Sequence, residues 1–496
     1  MEVSQHKGSQ GVYIRSGEPR PRAADGPPAV PLRVVMLVAT SCINDGRVIK
    51  EAETLTAAGH MVRVVCRETE GAPDREIING VEYLRVKWPR DLSKLREVFA
   101  NRRRYRSSLE RKASVSLFVA SLVVDLAIIV LRALRTTFRS VRRALKTKVR
   151  SVRRLVGSFL VQLLQFSLTR LAISDAASEW QPDVIHAHDL ITLPAAVKTA
   201  RRLGARVVAD LHELEEHRNP PKSWFWRLWT RYHERRYIPQ ADEVIVVSNS
   251  AAQYLADSCK IEPPLVIFNA PEVSSERSSQ RDVRRDLGLS SSTPLAVYVG
   301  GIGINRGVDQ LVRALRDLPD FHLALVGPRK AQHEETIRAL AREFGHDDRI
   351  HILDPVPYQE VVPYISSADI GVYALQNVCL NHDYAMPNKI FEMTLAGLPV
   401  AVSNLTDMGR FIRYTGTGLT MDETDPRDIV RVMKDVYERR DELRPSPSRL
   451  LELTTEFSWR AQGKNLANLY NELALSRSML KHDVTSIKTQ PNAPVK

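Results

Sequence analysis

Cysteine is scarce in this chain, with four in 496 residues: Cys42, Cys66, Cys259 and Cys379. They are scattered, and no pair has the spacing of a disulfide framework or a metal site. A disulfide-stapled secreted scaffold is thereby excluded, and a reducing cytoplasm is the expected compartment. Each thiol is expected to sit as a small buried hydrophobe. Residues 1–31 lack an apolar stretch of signal-peptide type, so a secretory signal is not expected and the segment reads as disordered. There is no sustained internal repeat. No His/Asp metal cluster or paired-Asp motif stands out, so no metal and no cofactor are expected.

What the chain does have is alternation. Short apolar runs alternate with helical patterns, which favours parallel α/β sheets. The length suggests two or three domains. Strands are expected at 32–39, 61–66, 184–186, 205–209 and 243–247, then at 295–299, 322–326, 350–353, 370–373 and 399–402. The polar stretch after Pro271 reads as a hinge. The resulting division is a disordered segment 1–31, a first domain 32–270 with an insert at 90–180, a linker 271–291, a second domain 292–455, a closing helix 456–476 and a disordered tail 477–496.

The most informative stretch runs from Pro387 to Val400. Pro387 pre-sets a turn, and Asn388 can cap the first N–H groups of a helix. Lys389 and Glu392, three apart, share one helix face. A helix start beside a cation is a seat for a diphosphate, and Glu392 can accept hydrogen bonds from ribose hydroxyls. The plainer reading is an αβ unit with solvated Lys389 and Glu392. A second segment bears on the choice. Gly300, Gly301, Gly303, Arg306 and Gly307 lie between an apolar run and a helical pattern. Glycines let backbone N–H groups approach a phosphate, and Arg306 adds a forked cation.

Together these segments resemble a retaining glycosyltransferase of family 4 with the GT-B fold. The resemblance covers most of 32–475. Asn44-Asp45-Gly46-Arg47 through Ala52, with Ala58-Gly59-His60, is similar to the family's first βα unit. His186-Ala187-His188-Asp189 and Asp210-Leu211-His212-Glu213 resemble its middle strands, and Ser248 and Asn269-Ala270-Pro271 the end of its first domain. Leu325-Val326-Gly327 and the Pro387 block resemble its donor domain, and Phe457-Ser458-Trp459 the start of its closing helix. The resemblance implies two Rossmann-like, doubly wound domains facing a cleft. It implies His212, Arg306 and Lys389 as catalytic groups. The donor side would hold Gly301, Arg306, Gly307, Tyr384, Asn388, Lys389 and Glu392. The acceptor side would hold Asp45, Arg47, His188 and Glu213. Two departures stand out: Tyr384, with Asp383 beside it, occupies the place where an earlier carboxylate is often found. Gly301 stands where the family often has Arg.

The insert concentrates the positive charge. Arg132 to Arg154 holds ten Lys and Arg and no acid. Leu134, Phe138, Val141, Leu145, Val149 and Val152 recur at steps of three and four, opposite a basic face. That is the pattern of an interfacial membrane helix. The apolar run Val115 to Leu131 would span about 25 Å as a helix, short of the ~30 Å hydrocarbon core. It reads as monotopic or re-entrant. Buried core helices and a nucleic-acid-binding face are the competing readings. Nucleic acid is disfavoured because interleaved aromatics and recognition motifs are missing. The expected partners are a nucleotide-sugar donor, anionic membrane lipids through residues 100–160, and a lipid-linked or glycan acceptor at the inner membrane face. A nucleotide-sugar isomerase and a non-catalytic membrane-docked subunit remain as alternatives.

Overall fold

Mostly apolar runs of two to seven residues form the strands of two sheets in the computed structural model. It describes residues 30–43, 45–86, 174–219, 224–273, 281–303 and 305–488, without side chains for 225 and 477–488. The N-terminal segment 1–29, Asn44 and nearly all of the basic insert (87–173) lie outside the described residues.

The first sheet has eight strands in the order β3 (Arg75–Ile78), β4 (Val81–Val86), β2 (Met61–Arg67), β1 (Arg33–Leu37), β5 (Val184–His188), β6 (Arg206–Leu211), β7 (Glu243–Val246) and β8 (Leu265–Val266). The second has six, β11 (Ile350–Leu353), β10 (His322–Val326), β9 (Leu295–Val299), β12 (Ile370–Tyr373), β13 (Val400–Ser403) and β14 (Gly418–Met421). All pairings are parallel except β3 with β4. Parallel strands covered on both faces are apolar throughout, so β9 is buried at every position. Both sheets reverse direction at their first strand, between β1 and β5 and between β9 and β12. Doubly wound sheets bind ligands at such switch points, beyond the carboxyl ends of the strands.

The second-domain strands match the expected runs closely. Four strands were not expected: β3, β4, β8 and β14. The β3–β4 pair turns on Asn79 and Gly80, with φ of 50° and 80°. This Asn-Gly pair is the two-residue hairpin signature. β8 has two residues, too few for periodicity to register.

The closing helix, Trp459–Lys488, continues past 476 into the segment read as a tail. It crosses back onto the first domain, where Leu466, Leu469, Tyr470 and Leu473 pack among Val34, Met36, Val48 and Leu55. Trp459 Nε1 donates to Thr54 Oγ1 at 3.0 Å, and the Gln462 side chain accepts from Phe268 N–H at 3.0 Å. No helix among the described residues is long and apolar enough to cross a membrane.

Two glycines set the approach of the donor turn to the sheet. Gly307 has φ 73°, and a Cβ there would lie 1.7 Å from the Ala374 carbonyl oxygen, just beyond β12. Gly327 has φ 152°, and its Cβ would meet the Gly300 oxygen at 2.2 Å. At Gly301 a Cβ would meet nothing nearer than 4.0 Å. Gly307→Ala is therefore expected to lower stability by about 2–3 kcal/mol, while Gly301→Ala stays within about 0.5 kcal/mol. The urea midpoints of the two variants check this.

Candidate functional site

The carboxyl ends of β1, β5 and β6 and the turn after β9 open on a cleft of about 590 Å³ between the domains. From the first domain it is lined by Asp45, Arg47, His212, Glu213 and Asn269, among others. From the second come Asn305, Arg306, Tyr373, Asn381, His382, Tyr384 and Asn388. The two sides are tied across the cleft. Leu214 N–H donates to Asn381 Oδ1 at 2.8 Å, and Asn381 Nδ2 donates to the Leu214 carbonyl at 3.0 Å. On another edge, Ser250 donates through N–H (2.9 Å) and Oγ (2.7 Å) to Asp407.

On the first-domain side a buried polar network stands behind His212. Arg47, from the helix Gly46–Ala57, donates from Nε and Nη2 to Asp210 at 2.9 and 2.7 Å. Its Nη1 donates to the Ile267 carbonyl at 2.9 Å, and Nε lies 2.9 Å from Glu51. Asp210 also sits 2.7 Å from His212 Nε2 and 3.2 Å from His188 Nδ1. His186 Nδ1 pairs with Tyr470 of the closing helix at 2.8 Å. Burial would raise the Asp210 carboxyl, but Arg47 and His212 outweigh it and hold it well below the usual range. Burial would lower His212, but Asp210 and Asp189 outweigh that, and its pKa rises to about 9. His212 is therefore an imidazolium at neutral pH, 20% exposed at the cleft. Burial pushes His188 down to about 3, so it stays neutral.

This network changes the acceptor-side expectations. Asp45 and Glu213 line the cleft, with Glu213 paired to Arg218 at its rim. Arg47 reaches the cleft wall, but its guanidinium is engaged by Asp210, Glu51 and Ile267. His188 is buried behind His212 and is absent from the cleft lining, because its ring is held by Asp210. The fold also gathers Glu51, His186, His188 and Asp210 so closely that they could hold a metal ion. Sequence spacing does not reveal this group, since its members come from one helix and two strands. The cation beside its two carboxylates is Arg47.

On the second-domain side, the helix Asn388–Leu395 starts at the cleft. Pro387 is its N-cap in extended conformation, and no side chain caps it. Asn388 is thus the first helical residue rather than the cap. Pro387 and Asn388 both line the cleft. Arg306 is exposed there beside Tyr373, whose buried hydroxyl has no hydrogen-bond partner among the described residues. Lys389 and Glu392 stand back from the cleft lining. The Lys389 side chain packs beneath Gly300, where a Cβ would meet its Cε at 2.1 Å. Burial lowers its pKa, and burial raises that of Glu392. Gly301 is not part of the lining, and its carbonyl accepts from the Tyr298 hydroxyl at 2.9 Å. Tyr384 lines the cleft. Asp383, its neighbour, is engaged elsewhere: its carboxylate accepts from Thr406 N–H and Oγ1 at the start of the helix Thr406–Thr415.

Comparison with known proteins follows the same division. Residues 124–270 match the model of Glycosyltransferase Family 4, and residues 293–439 match that of Glycosyl transferases group 1. Both matches are to glycosyltransferase models, one for each domain. A D-inositol 3-phosphate glycosyltransferase of Corynebacterium glutamicum is 26% identical over 262 residues, covering 49% of this chain and 60% of that protein. Sucrose-phosphate synthase from Thermosynechococcus elongatus superposes with a TM-score of 0.64 at 16% identity, covering 90% of this chain and 100% of that one. Anabaena HepE in complex with UDP-glucose superposes at 0.58, with 11% identity and coverage of 89% and 100%. The likeness of these two solved structures is one of fold. In this chain the cleft sets His212 on the first-domain wall against an uncapped helix start on the second.

Several lining residues escaped sequence reasoning. Asn381, Tyr373 and His382 carry no motif: Tyr373 ends β12, and Asn381 and His382 belong to the short helix Leu380–Asp383 beyond it. Lys50 stands behind the lining. Its Nζ donates to the Ala270 carbonyl at 2.6 Å, and burial lowers its pKa to about 8. It helps hold down the carboxyl of Glu392, across the domain boundary.

Arg47→Met should destabilise the first domain by about 3–5 kcal/mol, because it removes the guanidinium that meets both oxygens of the buried Asp210 carboxylate. Denaturant unfolding measures this. The His212 pKa is raised on folding from 6.5 to about 9. Its ion pair thus stabilises fully below pH 6.5 and loses that effect as pH climbs through about 9. The melting-temperature gap between wild type and His212→Gln should shrink across that window. A gap constant from pH 6 to 10 would sink the assignment.

Proposed function

We propose that this protein is a retaining glycosyltransferase that takes a nucleotide diphosphate sugar as donor. The sugar passes to a lipid-linked acceptor at the cytoplasmic membrane face. The observation that carries this reading is the charge layout of one cleft. Arg306 and an uncapped helix start lie on the second-domain wall, opposite the imidazolium of His212. Breaking the bond between the anomeric carbon and the β-phosphate oxygen leaves negative charge on the diphosphate. Fixed cations and helix N–H groups stabilise that charge as it develops. Lys389, beneath the Gly300 turn, adds a second cation, and Glu392 is the carboxylate for ribose.

Retention on this fold is ascribed to attack on the leaving-group face, with a phosphate oxygen taking the acceptor proton. That path needs no protein nucleophile, so Tyr384 in place of a carboxylate is compatible with it. HepE, of the same fold, holds UDP-glucose, which makes uridine diphosphate sugars the first donors to test. The named relatives act on D-inositol 3-phosphate, which supports a phosphate-bearing polyol as acceptor. The basic and apolar insert, through residues 100–160, supports presentation of that chemistry on anionic lipid.

Arg306→Ala and Lys389→Ala should each lower turnover by ~10²-fold, the effect of losing one preorganised donor. The decisive assay supplies radiolabelled UDP-glucose, with D-inositol 3-phosphate in one reaction and phosphatidylinositol vesicles in another. Label in extracted lipid supports the proposal. Label on the soluble polyol alone overturns the lipid acceptor but keeps the transferase. Conversion of the donor sugar without transfer would point to an isomerase instead.

A further inference from the structure

Between β6 and β7, the helix Trp224–Tyr237 presents two unlike faces. Thr230, His233 and Glu234 are buried against the domain. On the other side Trp224 is 70% exposed, Leu228 53% and Tyr232 61%. They step by four residues, so they form one line on the helix surface. Exposed Arg227, Arg231 and Arg235 interleave with them, and Arg236 flanks the line. Scattered apolar side chains are ordinary on a surface, but three large ones in line mark a docking site.

Composition and charge say what docks. Trp, Leu and Tyr set among arginines is the make-up of helices that lie in the headgroup region of a membrane. The face keeps a net positive charge. Arg227 and Arg231 both reach the single carboxylate of Glu216, while Arg235 and Arg236 add two further charges. Glu216 belongs to the turn Glu215–His217, which follows the cleft residues His212, Glu213 and Leu214. Asn219, just after that turn, also lines the cleft. The exposed stripe is therefore tied through Glu216 to the turn beside the cleft mouth.

We infer that Trp224, Leu228 and Tyr232, with Arg227, Arg231 and Arg235, dock this domain on an anionic lipid surface. The stripe then sets the cleft mouth against the bilayer. The surface is distinct from the insert at 87–173. Its purpose rests on the lipid-acceptor reading, whereas the docking itself is tested separately.

The test is co-sedimentation of the full chain with vesicles of phosphatidylglycerol and phosphatidylcholine, and with phosphatidylcholine alone. Wild type should bind the anionic vesicles and not the neutral ones. The double variant Leu228→Glu with Tyr232→Glu should bind at least about tenfold more weakly, since both apolar anchors are lost. Arg235→Gln should weaken binding about fivefold, the effect of one basic residue near the surface. All three proteins should melt alike and transfer sugar to a soluble acceptor at equal rates, since none of these side chains lines the cleft. Equal binding by wild type and the double variant overturns the inference, as does equal binding to neutral vesicles. A lipid-free dimer abolished by the double variant would reassign the stripe to a second copy of the chain. If binding responds as expected but no lipid is glycosylated, the docking surface stands and the lipid-acceptor reading falls.

Discussion

The buried fork between Arg47 and Asp210 is the contact on which the first-domain half of the cleft depends. It ties the helix after β1 to the end of β6, and a third bond from Arg47 reaches Ile267 near the end of the domain. Burying two charges is costly, and the pair repays that cost only through good geometry and further hydrogen bonds. Asp210 has them, since it also meets His188 and His212. The consequence is electrostatic. A carboxylate pinned by Arg47 keeps its charge in the interior, and that charge keeps His212 protonated at the cleft. Tyr470 meets His186 in the same network, so the far end of the chain buttresses the site.

The second-domain half works by close approach rather than by buried charge. Gly307 and Gly327 let main chain meet main chain where any side chain would collide. The turn after β9 can thus reach the switch point with its N–H groups and Arg306 forward. The helix Asn388–Leu395 is held from behind by aromatic packing. Phe391 sits 5.4 Å from Phe268 of the first domain and 5.1 Å from Phe411, centroid to centroid. Its start is left uncapped and faces the cleft. A capping side chain would occupy the N–H groups that an anion needs.

The two halves face each other because of a few polar ties at the rim. Asn381 takes both main-chain groups of Leu214, and Asp407 takes both donors of Ser250. Neither tie lies at the centre, where His212 and Arg306 stand. His212 and Arg306, on the two walls of the cleft, suit an anionic diphosphate. The exposed aromatic and arginine stripe beside its mouth extends the positive character outward, toward the proposed bilayer surface.

Much of this was legible in the chain itself. Buried parallel strands are near-continuous apolar runs, and five of the six second-domain strands followed from that alone. The turn around Arg306 and the Pro387 block were singled out from the chain, and both reach the second-domain wall of the cleft. The β3–β4 hairpin carried its Asn79-Gly80 signature and was passed over. What the sequence could not determine is which polar residues would be engaged by one another. Arg47 and His188 read as acceptor-side groups, and Asp383 only as the neighbour of Tyr384. Folding brings partners from across the chain and places them in a buried network or at a helix start. Asn381, Tyr373 and His382 belong to no local pattern, and only the docking of two sheets sets them on the cleft. Local chemistry needs only neighbours along the chain, whereas pairing, burial and protonation depend on neighbours in space, and those the tertiary structure alone decides.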